Sequence, residues 1–129
     1  IIGAGNVGAT VAYPLAMKGT CHQVMLRDRN IEIAKGKALD MSQAANAARQ
    51  HTVVTVAEEP SDIADSDVVV VTAGSPRKPG MSRDDLLMVN AKITKEVVAD
   101  IKEYAPEAVI IMVSNPLDVM TYVALKESG

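Results

Sequence analysis

Short apolar runs of strand length at residues 22–26, 52–56, 68–71 and 108–113 alternate with segments of helical periodicity at 7–18, 31–48, 83–104 and 119–127. This alternation limits what the chain can become. A strand that feeds a crossover helix returns as a parallel strand with right-handed connection, and the helices then cover both faces of the sheet. Ile1-Ile2, directly before a glycine turn, reads as the stub of one more strand, and Val68-Val69-Val70-Val71 reads as a central strand buried on both faces. Residues 108–113 read as a second buried strand. The expected fold is α/β, a doubly wound parallel sheet of Rossmann type with strand order 3-2-1-4-5, Ile1-Ile2 being counted first. The whole of 1–129 is expected to be one domain with a truncated first strand, and with its sixth strand absent it has an open edge.

Composition removes several functions. Thirteen Lys and Arg against 16 Asp and Glu leave a net charge of −3, so no general basic field exists for a nucleic-acid backbone or an anionic membrane. Aromatic residues make up 2%, with no Phe and no Trp, which argues against base-stacking platforms and requires a core of Val, Ile, Leu, Ala and Met. No apolar run approaches the roughly 20 residues that cross a bilayer, and no charged-then-apolar leader is expected. The single cysteine, Cys21, has no partner for an internal disulfide and reads as a buried core thiol in a reducing cytoplasm.

The chemistry concentrates in the loops that follow the strands. Gly3-Ala4-Gly5-Asn6-Val7-Gly8 joins strand to helix. Gly3 permits the tight turn, Gly5 lets backbone approach a pyrophosphate, Gly8 lets helix pack on sheet, and the helix N-terminus offers free N–H donors to an anion. Taken alone the pattern also arises for packing reasons. Asp28 sharpens it, because it ends the second apolar run 20 residues after Gly8, where a carboxylate accepts the ribose hydroxyls of an adenosine. A carboxylate repels a 2′-phosphate, so NAD is expected rather than NADP. Arg27 and Arg29 flank Asp28 and either oppose that preference or are solvated arginines at a strand end.

Four segments resemble the lactate and malate dehydrogenases of 2-hydroxy acids, in particular the lactate-dehydrogenase-like malate dehydrogenases of bacteria. They are Ile1 through Gly8; Lys35-Gly36-Lys37-Ala38-Leu39-Asp40; Thr72-Ala73-Gly74-Ser75-Pro76-Arg77-Lys78-Pro79-Gly80-Met81-Ser82-Arg83; and Val113-Ser114-Asn115-Pro116-Leu117-Asp118. The resemblance implies an NAD cofactor, hydride transfer between malate and oxaloacetate, and a chain that is the N-terminal half of such an enzyme. The family's proton-transferring histidine, its aspartate partner and a third arginine belong to the other half, so no catalytic residue is expected here and the fragment alone is expected to be inactive. Family members are dimers or tetramers, which implies a homo-oligomer for the full-length protein.

Residue by residue, the Pro- and Gly-bounded loop with Arg77 and Arg83 can fold over a small dianion and exclude water as it closes. The resemblance assigns Arg77 to the distal carboxylate of a dicarboxylate, where lactate-specific members carry glutamine, and Arg83 to the substrate and its carbonyl. Both arginines on a solvated loop is the plain alternative. Asn115 ends the last apolar run beside the crevice of an open α/β sheet, where its amide reaches a substrate oxygen; a turn-forming asparagine before Pro116 is the alternative. Thr72, Ala73 and Gly74 end the Val68-to-Val71 run and are expected to pass close to the cofactor. The resemblance adds Asn90, Val113 and Asn115 to the cofactor-binding set of Gly3, Gly5, Asn6, Val7, Gly8 and Asp28. His22 and His51 lack an aspartate in any matching motif, and Asp62, Asp65 and Asp67 fit a solvated loop, so no metal is expected. A lactate or other 2-hydroxyacid dehydrogenase, a stand-alone NAD-binding module, and a fragment too incomplete to bind a ligand stay open as alternatives.

Overall fold

The computed structural model describes residues 1–129 as an α/β arrangement of four helices and four short strands. In chain order these are α1 (Asn6–Met17), β1 (Gln23–Leu26), α2 (Ile31–Ala47), β2 (Val53–Val56), β3 (Val68–Val71), α3 (Arg83–Tyr104), β4 (Val109–Met112) and α4 (Leu117–Ser128), with a 3-10 turn at Pro60–Ile63. Helix α2 is capped by Asn30, whose side chain accepts from Ile33 N–H. Helix α4 begins two residues earlier than periodicity suggests. Pro116 serves as its N-cap, with its carbonyl accepting from Met120, and Asp118 in the first turn suits the positive helix end.

Strands β1 and β2 pair in parallel with Val24 beside Val54, and β3 and β4 pair in parallel with Val69 beside Ile110. Ile2 forms single parallel bridges to Arg27 and to Val71. Its N–H donates to Val70 O at 2.8 Å and its carbonyl accepts from Thr72 N–H at 2.9 Å. The chain therefore enters the glycine turn from a residue held on both sides.

Two apolar clusters form the interior. Val24 and Leu26 of β1 meet the alanines of α1 and α2 (Ala12, Ala16, Ala34, Ala38, Ala45), whose small side chains let both helices lie close to the strands. Val69 and Val71 of β3 meet Ile2, Ile63, Ile101 and Ala105 in the second cluster. As composition required, the buried apolar residues are Val, Ile, Leu, Ala and Met. Leu26 is fully buried, so truncating it to alanine would cost about 2–5 kcal/mol. Between α3 and α4 the buried Thr94 hydroxyl donates to Met120 Sδ at 3.2 Å.

Three expectations need correction. β4 is not buried on both faces: Val109 is 62% and Ile111 47% exposed, because with Val68, the register partner of Val109, they lie on the sheet face opposite the cluster that takes Val69, Val71, Ile110 and Met112. Within β3, Val69 and Val71 are buried but Val68 is exposed. Cys21 is exposed, since it lies in the bend before β1 and not in the strand. No helix is long and apolar enough to cross a membrane.

Candidate functional site

The turn from Ile2 into α1 is shaped by two glycines at which any side chain would collide with backbone. Gly3 has φ +103°, and a Cβ there would lie 2.6 Å from Ala73 N; a Cβ on Gly8 would lie 1.8 Å from the carbonyl oxygen of Gly3. Helix α1 thus packs on the turn itself as well as on the sheet. Gly5 differs, because a Cβ there meets nothing within 4 Å: the space over it is open. Gly5 is the N-cap of α1 with no side-chain cap, and the first turn holds no acidic residue. The N–H groups of Asn6, Val7 and Gly8 precede the first intrahelical bond, from Ala9 N–H to Gly5 O, and have no intrahelical acceptor.

Asp28 is fastened to this turn. Its Oδ2 accepts from Ala4 N–H at 2.7 Å and its Oδ1 from Asn30 N–H at 2.9 Å. Each oxygen keeps a further lone pair for a hydroxyl donor. Arg27 points to the opposite sheet face, as alternation along a strand requires, and its Nη2 lies 2.9 Å from Asp100 Oδ2 on α3. It is therefore an ion-paired, half-buried side chain and not a solvated one, and it does not compete at the ribose position. Arg29 is exposed.

A second group of contacts knits the ends of β3 and β4. Thr72 Oγ1 donates to Gly3 O at 2.7 Å, which joins β3 to the glycine turn. Ser114 Oγ donates to Ala73 O at 2.6 Å. Asn90, on α3 and 4% exposed, accepts from Ser75 N–H at 2.7 Å and donates to Asn115 O at 2.8 Å. Its amide is occupied within the protein, so Asn90 fixes the backbone of two loops, at Ser75 and at Asn115, and a Cβ on Gly74 would lie 3.4 Å from its Oδ1. The Asn115 side chain is exposed, with no protein hydrogen-bond partner, and its peptide bond to Pro116 is cis. Val113 is partly buried, with its N–H donating to Val71 O. Sequence reading missed Ser114, Ser75 and Lys37, whose Nζ reaches Ala4 O; only the small polar pair Ser114-Asn115 closing an apolar run hinted at the first.

Arg77 and Arg83 do not touch these groups. Arg77 is exposed and bonds only to Met81 O, through Nε at 3.1 Å. Arg83 is exposed at the first position of α3, behind a capping box in which Ser82 Oγ accepts from Asp85 N–H and Asp85 Oδ2 accepts from Ser82 N–H, each at 3.0 Å. Neither arginine belongs to an ion pair, so both guanidinium groups are free for an anionic ligand. The Ser82 hydroxyl and then its N–H hold the Asp85 carboxyl below its ordinary value of 3.8. No group of three or more His, Cys, Asp or Glu comes together as a metal site.

Known proteins resemble this chain in sequence and fold. Residues 1–129 match the lactate/malate dehydrogenase, NAD binding domain family. A malate dehydrogenase of Sulfurimonas denitrificans is 74% identical over 129 residues, all of this chain and 40% of that protein. The apo malate dehydrogenase of Picrophilus torridus superposes with a TM-score of 0.94 at 44% identity, over 99% of this chain and 41% of the other. The malate dehydrogenase of Archaeoglobus fulgidus, solved in complex with NADH, superposes with a TM-score of 0.94 at 41% identity, over 99% and 44%. The chain spans about two fifths of the length of the curated relatives it matches.

Proposed function

The chain belongs to the lactate/malate dehydrogenase family as its NAD-binding domain, and from that premise we propose that it is the cofactor-binding half of a malate dehydrogenase. Hydride transfer between malate and oxaloacetate is the reaction, and a small dicarboxylate the substrate. The observation that carries the reading is the open space over Gly5 beside an Asp28 carboxylate tied to Ala4 N–H. A pyrophosphate fits the first and a ribose diol the second. Ile2, bridged to both Arg27 and Val71, serves in this reading as the first strand of one sheet in the order 3-2-1-4-5.

Bound there, NAD supplies the hydride acceptor or donor. The residues of this chain bind and orient. Gly3, Gly5, Asn6, Val7 and Gly8 present the anion-binding backbone, Asp28 takes the ribose hydroxyls, and Thr72, Ala73, Gly74 and Val113 line the cofactor's path at the strand ends. Asn90 sets the loops of Ser75 and Asn115. Asn115 then offers its unpartnered amide to a substrate oxygen. Arg77 pairs with the distal carboxylate and Arg83 with the substrate at its carbonyl, where negative charge develops. A carboxylate entering a site closed to water needs such a cation, because otherwise its desolvation opposes binding. The proton is handled outside this chain, in the remaining part of a cytoplasmic homo-oligomer.

Calorimetric titration with NADH tests the cofactor reading, with Asp28→Ala beside it. Saturable binding that weakens at least roughly tenfold in the variant is expected, as for loss of a charged hydrogen-bond acceptor. Equal binding by both proteins would overturn the role of Asp28. In the full-length enzyme, faster turnover of pyruvate than of oxaloacetate would favour a lactate dehydrogenase instead.

A further inference from the structure

The segment Lys35-Gly36-Lys37-Ala38-Leu39-Asp40 takes no part in the reading above, yet one of its side chains reaches the dinucleotide turn. Lys37 Nζ, on α2, donates to Ala4 O at 2.5 Å across 33 residues of sequence. Ala4 N–H donates to Asp28 Oδ2 at 2.7 Å. Ala4 is itself wholly buried, so the residue between Gly3 and Gly5 has both its polar backbone groups held by side chains of opposite charge.

The consequence follows from peptide geometry. Ala4 N–H lies in the Gly3–Ala4 peptide plane, whereas Ala4 C=O lies in the next plane, with the N–H of Gly5. Across a trans planar peptide the C=O and N–H point in opposite directions, so a donor that fixes the Ala4 carbonyl also aims the Gly5 N–H. That N–H has no acceptor in the protein, at a residue where an added Cβ would meet nothing within 4 Å. An ammonium on the carbonyl further polarises the peptide and strengthens the N–H as a donor. We propose that Lys37 is a positioning residue for the cofactor's pyrophosphate, acting through the Ala4–Gly5 peptide. Asp28 orients one plane for the ribose, and Lys37 the next for the phosphates.

Lys35 is the natural control. It lies two residues away on the same helix, its head pairs with Glu58 at 2.9 Å on the surface, and it has no contact with the turn.

The inference rests on the dinucleotide reading. Its test is ligand affinity in the full-length enzyme for wild type, Lys37→Met, Lys37→Arg and Lys35→Met, with NADH, ADP and adenosine as probes. Lys37→Met is expected to weaken NADH and ADP roughly tenfold, the scale of one charge-assisted hydrogen bond, and to leave adenosine unchanged. KM for NADH rises with it while kcat holds within about twofold, as for lost uniform binding. Lys37→Arg restores most of the affinity, and Lys35→Met matches wild type. Unchanged NADH affinity in a folded Lys37→Met would overturn the proposal, and so would an equal loss for adenosine, which marks a general loosening of the turn. Should Lys37→Met not fold, Lys37→Gln removes the charge in the same comparison. A wild-type enzyme that binds no NADH overturns the dinucleotide reading, and this inference with it.

Discussion

Asn90 Nδ2 donates to the backbone carbonyl of Asn115 at 2.8 Å, so a buried amide on α3 sets the position of an exposed amide in the turn between β4 and α4. The same side chain holds Ser75 by both its N–H and its carbonyl. Asn90→Ala would remove the partner of these part-buried groups by truncating a side chain that is itself only 4% exposed. A loss of about 1–3 kcal/mol in denaturant unfolding is expected, the range for stranded buried polar groups. KM for cofactor and for substrate should rise together, because one residue supports both loops.

Gly5 and Gly8 stand three residues apart in one turn and should respond to alanine in opposite ways. At Gly8 the added methyl would lie 1.8 Å from Gly3 O, a backbone atom that cannot swing away. Gly8→Ala should lose about 1–3 kcal/mol, as overpacked sites do, together with NADH binding. At Gly5 the methyl meets nothing and φ is −68°, which alanine adopts freely. Gly5→Ala should therefore unfold within about 1 kcal/mol of wild type and still fail to bind NADH, its methyl occupying the pyrophosphate position. Thermal melts with and without ligand separate the two. A Gly5→Ala protein that binds normally would remove the pyrophosphate from that space.

Asp85 carries an acid-sensitive contact. Its folded carboxyl titrates below the ordinary 3.8, through the Ser82 hydroxyl first and the Ser82 N–H second. A carboxyl whose value is depressed by folding contributes stability that is fully present above its unfolded value and is lost as pH falls through the folded one. The capping box at the start of α3 should therefore hold at neutral pH and open only in acid below that ordinary value. Carbon-detected titration of the Asp85 carboxyl checks this, and Ser82→Ala should return its midpoint towards 3.8. A midpoint unmoved by Ser82→Ala would discard the capping box as the cause.

What was legible beforehand follows from the range over which each signal acts. Periodicity within a segment found every helix and strand, and the glycine spacing with Asp28 found the turn, since both are local patterns. Burial of β4 was misjudged because an apolar run such as Val109 to Met112 looks the same whether one face of its sheet is covered or both, and here only the face of Ile110 and Met112 packs on the core. Cys21 was misjudged because exposure two residues before β1 depends on where the chain bends. Arg27 was read with its neighbour Arg29, although strand alternation sends it towards Asp100. The ties made by Lys37 to Ala4, Ser114 to Ala73 and Thr72 to Gly3 join residues 33, 41 and 69 positions apart. No local pattern reports such pairs; only the packed strands bring them together.

Arg77 bears on the choice of substrate. Its Nε is engaged by Met81 O while both terminal nitrogens are without a protein partner, on a loop bounded by Pro76, Pro79 and Gly80. A distal carboxylate distinguishes oxaloacetate from pyruvate, and a guanidinium is the group that recognises it with two parallel hydrogen bonds. Arg77→Gln keeps a polar side chain and removes the charge. In the full-length enzyme kcat/KM for oxaloacetate should fall roughly 10²-fold or more, the scale on which truncating one partner of a closed-in charge pair acts, while kcat/KM for pyruvate holds or rises. Parallel losses on both substrates would instead mean that Arg77 shapes the loop through Met81 and reads no carboxylate. The double variant with Met81→Ala is uninformative there, because the contact is to a backbone oxygen; Arg77→Lys is the better companion. A lysine keeps the charge without the planar fork, so oxaloacetate turnover should recover only in part if the bidentate contact is what selects the dicarboxylate.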